Sequence, residues 1–224
     1  MSGSKRMENG RKTDVREIIL YVSEILIVAL VAYSVIGMVT TRNESALMTS
    51  GIRAFKFYTV LSNVFCALSS LFVLIFFFTE KRTALPAWLY LFRLMGSCVV
   101  TVTLVVVLLF LGPTMGWGLM FSGVCLWLHL VVPVLSIIAQ ILQQPEREVP
   151  FWKTVLAVAP TIVYGTVYIT VNAVGWTGKS NRVTDFYGFL TWGWGIGIVI
   201  LLAICLMNWL AAILYWKLDR RNTR

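Results

Sequence analysis

Charge is what this 224-residue chain has least of. Asp, Glu, Lys and Arg make up 13% of it, against about 25% in an ordinary soluble domain. Only one acidic side chain, Glu24, lies deep inside an apolar run, which leaves no relay of acids for an ion pump. There is a single histidine, His129, and no carboxylate clusters with it, so nothing points to a metal site or a haem. The four cysteines, Cys66, Cys98, Cys125 and Cys205, form no C-x-x-C pair and all lie in apolar stretches. They read as small buried hydrophobes. No cleavable leader is recognisable. The first apolar run, from Ile18, outlasts a signal core of about 7–15 residues and lacks a small-residue cleavage site. Internal repeats, low-complexity tracts and a second domain are also missing. Soluble catalysts, zinc modules and nucleic-acid binders are thereby disfavoured.

What the chain has in excess is apolar surface. Hydrophobic residues are 58% of the sequence and the mean hydropathy is +0.82, which reads as an all-α, polytopic integral membrane bundle of six transmembrane helices. Residues 1–17 form a polar tail, 18–216 the six-helix domain and 217–224 a basic tail. The expected spans are Ile18–Val39, Lys56–Thr79, a third from Pro86 and Trp88 to Leu111 that Gly112 and Pro113 break, a fourth around His129, a fifth from Pro150 to about Val174, and a sixth from about Phe189 to Tyr215. Tryptophans 88, 117, 152, 176 and 216 fall at span ends, where interfacial anchors belong. Lys and Arg concentrate in the two tails and in the loops after the second and fourth spans. The positive-inside rule therefore puts both termini in the cytoplasm of a multi-pass cell-membrane protein, and the net charge of +9 reads as anchoring against anionic lipid.

The polar residues inside the spans are few and patterned. Gly118 to Leu142 carries no charged side chain. Within it Ser122, Cys125, His129, Pro133, Ser136 and Gln140 recur at intervals of three or four and share one helical face. Pro133 deprives the His129 carbonyl of its helical donor, so a bend is expected beside the ring. Glu24 and Arg93 should sit at one depth and face each other. The pairing fixes helix register, or Arg93 binds a substrate carboxylate or headgroup. Thr59, Asn63, Cys66 and Ser70 stripe the second span, and Pro160, Tyr164, Tyr168 and Asn172 the fifth. Each stripe could serve only close helix packing, but three of them suit a shared polar cavity. Gly193 and Gly197 form a G-x-x-x-G that reads as packing. His129 is either a hydrogen-bonded interior histidine or a group with a chemical role.

Two segments carry a family resemblance. Lys56-Phe57-Tyr58-Thr59-Val60-Leu61-Ser62-Asn63 is similar to an aromatic–Thr–x–x–(Ser)–Asn signature early in a second helix. His129-Leu130-Val131-Val132-Pro133, followed by Pro160 and Tyr164, is similar to a histidine helix and the Pro–x–x–x–Tyr helix after it. Arg93 also fits. On these residues the chain resembles the androgen-induced-gene (AIG-like) family, which includes the androgen-dependent TFPI-regulating protein and bacterial relatives. The resemblance implies a threonine hydrolase of fatty-acid esters of hydroxy fatty acids that needs no cofactor and no metal. Thr59 is then the nucleophile and His129 the base, and Asn63, Arg93, Tyr164 and Tyr168 help bind a membrane lipid or fatty-acid ester. The alternative is a non-enzymatic lipid-binding or small-molecule permeation protein that uses the same cavity. A bundle whose stripes only pack helices is a third. On straight helices Thr59 stands about 10 Å above His129, with Ser62 or Asn63 closer to the ring.

Overall fold

The computed structural model describes residues 15–40, 51–174 and 184–222. The expected positions of most of the N-terminal tail, of Trp176 and of the end of the basic tail lie outside the described residues. Among those described the protein is all-helical, with six helices long and apolar enough to cross a membrane: α1 (Val15–Thr40), α2 (Tyr58–Glu80), α3 (Ala87–Met115), α4 (Val124–Leu142), α5 (Phe151–Val174) and α6 (Trp194–Asn222). Lipid tails are as apolar as leucine, so burial of hydrocarbon alone does not hold such helices together. Close packing and hydrogen bonds between helices do that work.

Helices α1, α2, α3 and α4 form the tight part of the bundle. Gly96 on α3 lets two helices touch, since a Cβ there would lie 2.4 Å from Ser69 Oγ and 3.2 Å from the Cys66 Cα on α2. Phe77 is buried and meets Tyr21 of α1 edge-on at 4.9 Å. Lys81 ends α2 in a left-handed conformation (φ 53°), and its N–H donates to the Phe77 carbonyl at 3.0 Å. A short two-way backbone contact then ties the loops after α2 and α4. Leu85 N–H donates to Gln144 O at 2.9 Å, and Glu146 N–H to Leu85 O at 2.8 Å.

Three boundaries differ from the sequence reading, each for an identifiable reason. Gly112 and Pro113 do not end α3. Its last turns widen into a π-helical turn, Val107–Leu111, in which Gly112 N–H reaches back five residues to Val107 O, and the helix continues to Met115. The same device recurs in α4. Trp127–Val131 is a π turn closed by Val132 N–H on Trp127 O, again two residues before a proline, Pro133. A proline lacks the N–H and crowds the carbonyl four residues back. One extra residue in the preceding turn accommodates both defects. The apolar run from Gly118 is not one helix either. Trp117–Met120 makes a single turn, the chain breaks at Phe121–Gly123 with Gly123 at φ 52°, and α4 starts at Val124. Ser122 is therefore off the helical stripe. The sixth helix starts at Trp194, not near Phe189, because residues 185–193 fold as turns with positive φ at Gly188 and Gly193. Gly193 thus precedes the helix, and Gly197 packs on Leu190, whose Cδ2 a Cβ would approach to 2.5 Å.

Candidate functional site

His129 sits inside the π turn of α4 and is 8% exposed. Its Nδ1 lies 2.8 Å from the carbonyl oxygen of Met120. A carbonyl can only accept, so Nδ1 carries the proton and donates, and Nε2 is left as the basic nitrogen. The break at Phe121–Gly123 makes this bond possible, because it folds the Trp117–Met120 turn back against the helix that follows. Nothing in the sequence pattern marks Met120. The run is uniformly apolar across the break, and the partner is a backbone atom.

Asn63 connects this turn to α2. Its Nδ2 donates to Thr59 O at 2.7 Å and to Leu128 O at 3.0 Å. The backbone segments bearing Thr59 and His129 therefore converge on one amide, with Asn63 at the height of the ring's own turn. Asn63 is fully buried, and its Oδ1 has no hydrogen-bond partner among the described residues. The Thr59 and His129 side chains share no hydrogen bond, and the height difference is taken up by Asn63 one turn below Thr59.

Thr59 lines a cavity of about 60 Å³, more than the roughly 10–15 Å³ one water requires. Val102, Val106, Val107, Phe110 and Leu111 of α3 and Leu201 and Ile204 of α6 supply its apolar wall, so the π turn of α3 shapes it directly. Phe110 is also 46% exposed, which brings the cavity to the apolar surface of the bundle. His129 is not in the lining.

Six hydroxyls border the same space, from Tyr58, Thr59, Thr103, Thr161, Tyr164 and Tyr187. Five of them are engaged. Tyr58 Oη and Thr161 Oγ1 are 2.8 Å apart, and Asn208 Nδ2 donates to Thr161 Oγ1 at 2.5 Å. Thr103 Oγ1 is 3.0 Å from Ser62 Oγ. Tyr164 donates to the Lys56 carbonyl at 2.7 Å. Tyr187 Oη accepts from Tyr58 N–H at the start of α2, at 2.8 Å. The Thr59 hydroxyl is the one with no hydrogen-bond partner among the described residues. A free hydroxyl at the first turn of a 23-residue helix also feels the positive end of the helix dipole, which favours developing negative charge.

The other residues singled out in the sequence divide between two structures. Tyr164 belongs to the cavity. Tyr168 does not line it. Its hydroxyl donates to Asp185 Oδ1, and its ring packs on Phe186 at 5.4 Å and Phe189 at 5.7 Å. Asp185 Oδ2 in turn accepts from Leu190 N–H at 3.0 Å, so Tyr168 pins the aromatic 185–190 turns over the N-terminal end of α2 and the C-terminal half of α5. Arg93 is also remote from the cavity. It is fully buried, with Nε 2.8 Å from one oxygen of the equally buried Glu24 and 3.1 Å from the other. Its Nη1 donates to Ser97 Oγ at 2.6 Å and Ser136 Oγ at 3.0 Å. The pair joins α1 to α3, and Ser136 extends the contact to α4.

The sequence reading missed Thr103, Thr161, Tyr58 and Asn208. Thr161 follows Pro160 directly, but it stood outside the stripe drawn through Pro160, Tyr164 and Tyr168. No family model, curated protein or solved structure matches this chain.

Proposed function

We propose that the protein is a cell-membrane hydrolase of lipid acyl esters, with Thr59 as nucleophile, His129 as general base and both termini in the cytoplasm. The observation that carries this reading is the His129 tautomer. A carbonyl holds Nδ1–H, Nε2 is basic, and the ring's turn is tied through Asn63 to the turn that bears an uncommitted threonine hydroxyl. The family resemblance in the Tyr58–Asn63 and His129–Pro133 segments supports the same assignment. The apolar wall suits an acyl chain entering from the bilayer, and the hydroxyl border suits its ester.

In the proposed reaction Thr59 Oγ attacks the ester carbonyl carbon while its proton passes to His129 Nε2. The tetrahedral oxyanion develops at the first turn of α2, within reach of its dipole. The C–O bond to the alcohol breaks, and the alcohol leaves with the proton from Nε2. Water then cleaves the acyl-Thr59 ester and releases the acid. A close approach of Thr59 and His129 is required on substrate binding, since catalytic hydrogen bonds often tighten only in the complex.

A second reading is favoured by one observation, the absence of His129 from the cavity lining. On that reading the cavity binds an acyl chain without cleaving it. Incubation of the purified protein with a fluorophosphonate probe separates the two. The hydrolase gives a covalent adduct in the native chain that disappears in Thr59→Ala and in His129→Ala. No adduct, together with lipid that co-purifies in stoichiometric amount, leaves only the binding role.

A further inference from the structure

Below Asn63 the bundle interior carries polar atoms that the protein itself does not satisfy. Arg93 Nη2, Gln140 Nε2, Ser70 Oγ, Tyr90 Oη and Asn63 Oδ1 are all buried and have no hydrogen-bond partner among the described residues. They are not scattered. Asn63, Cys66 and Ser70 follow one another down successive turns of α2. Arg93 and Gln140 meet at a single hydroxyl, with Ser97 Oγ 2.6 Å from Arg93 Nη1 and 3.1 Å from Gln140 Oε1. Ser136 Oγ lies 3.1 Å from Ser97 Oγ and 3.3 Å from Cys66 Sγ. The Tyr90 hydroxyl adjoins Gln140, and beyond it Asp219 interacts with Arg16 and Glu148 where α1 begins and α6 ends. The result is a polar line from that end of the bundle to the carbonyl next to His129.

Each unsatisfied buried group costs about 1–3 kcal/mol, and a guanidinium nitrogen costs more. Buried water binds where two to four such groups converge. Four of the five are donors or hydroxyls, three of them on or beside Gln140 and Arg93, and the acceptor Asn63 Oδ1 stands at the upper end. We infer that this line is a binding site for a chain of internal water molecules that ends at Asn63.

Its use rests on the proposed hydrolysis. An ester dissolved in lipid brings no water with it, and the acyl-Thr59 intermediate needs one molecule per turnover. That water adds to the acyl carbon and gives a proton to His129 Nε2. The bond from the acyl carbon to Thr59 Oγ breaks, and Thr59 recovers the proton. The cavity wall is apolar and the lining of the lower core is not, so lipid and water reach the site from opposite sides.

Two cysteines offer an internal comparison, because Cys66 and Cys98 are both fully buried. Cys66 bonds to Ser136 on the polar line, whereas Cys98 sits in an apolar cluster with Leu94 and, although it packs near Tyr90, makes no hydrogen bond among the described residues. X-ray radiolysis of the full chain in lipid nanodiscs converts bound water to hydroxyl radicals in place, and these oxidise the nearest thiol. Cys66 is expected to oxidise at least about fivefold faster than Cys98 if water lines its side of the core. Gln140→Leu, which removes a donor from the line, is expected to bring the Cys66 rate down to that of Cys98. Equal rates in the native chain overturn the inference, as does a Cys66 rate unchanged by Gln140→Leu. The native ratio needs no substrate and no variant. A ratio that holds while the fluorophosphonate adduct is missing sinks the hydrolase alone. Equal rates with the adduct present sink the water line alone.

Discussion

Around Arg93 an ion pair and its hydroxyl partners tie helices together and leave a few buried polar atoms over; around Thr59 the polar groups border a space. The first region joins α1, α2, α3 and α4 through a guanidinium, a carboxylate, two serines and a thiol, all of them fully buried. The second lies higher, between α2, α3, α5 and α6, and sets hydroxyls against a wall of Val, Leu, Ile and Phe. In water neither arrangement would be notable. In a bilayer each buried polar group must have a reason, and the two regions give different ones. Charge and hydrogen bonds in the lower core fix which helices are neighbours. In the upper region one threonine is left uncommitted beside room for a ligand.

Substitutions should separate the two regions, because loss of the Arg93 cluster alters stability and loss of the Thr59 hydroxyl alters chemistry. The largest effect is expected from Arg93→Leu, which strands Glu24 in the core at a cost of about 3–5 kcal/mol. Thermal unfolding in detergent reads it, and the double variant Glu24→Leu with Arg93→Leu should recover most of the loss. A single variant as stable as the native chain would break the comparison at once. Next is Gly96→Ala, where the new methyl meets Ser69 and the α2 backbone. Overpacking of this kind costs about 1–3 kcal/mol, seen as a lower unfolding midpoint. Thr161→Val removes the hydroxyl shared by Tyr58 and Asn208 and should cost about 1–2 kcal/mol for the buried amide left unpaired. Smallest in stability is Thr59→Val, expected within about 0.5 kcal/mol of native because its hydroxyl has no hydrogen-bond partner among the described residues. It should nonetheless abolish covalent labelling. Should Thr59→Val unfold the protein, the hydroxyl is structural and the two regions are not distinct in kind.

The membrane class and the six spans were readable from composition and run length, and so was the depth at which Glu24 and Arg93 meet. Hydropathy could not say which helix faces protein and which faces lipid. Helices α3 and α6 are almost equally apolar, yet 56% of the most apolar stretch of α3 is buried against 17% of that of α6. Polar spacing was the better guide, since α3 carries Arg93, Ser97 and Thr103, while the middle of α6 offers chiefly Asn208. The π turns were hidden because a proline in an apolar run reads as a break or a bend, and the chain instead adds a residue to the preceding turn. The partner of His129 was hidden for a related reason. A backbone carbonyl has no letter in the sequence, and it arrives through a kink at Gly123 inside a run without charge. Tyr168 looked like a ligand-binding residue because it shares a stripe with Tyr164. It is tied instead to Asp185, from a loop whose path spacing alone does not give.

The most direct test is to locate the fluorophosphonate adduct by mass spectrometry of the native protein and of His129→Gln, both checked for folding. The account predicts phosphonylation on Thr59 in the native chain and at least about a hundredfold less in His129→Gln, the scale of a lost general base. An adduct on any other residue, or labelling of Thr59 that is indifferent to His129, would contradict it.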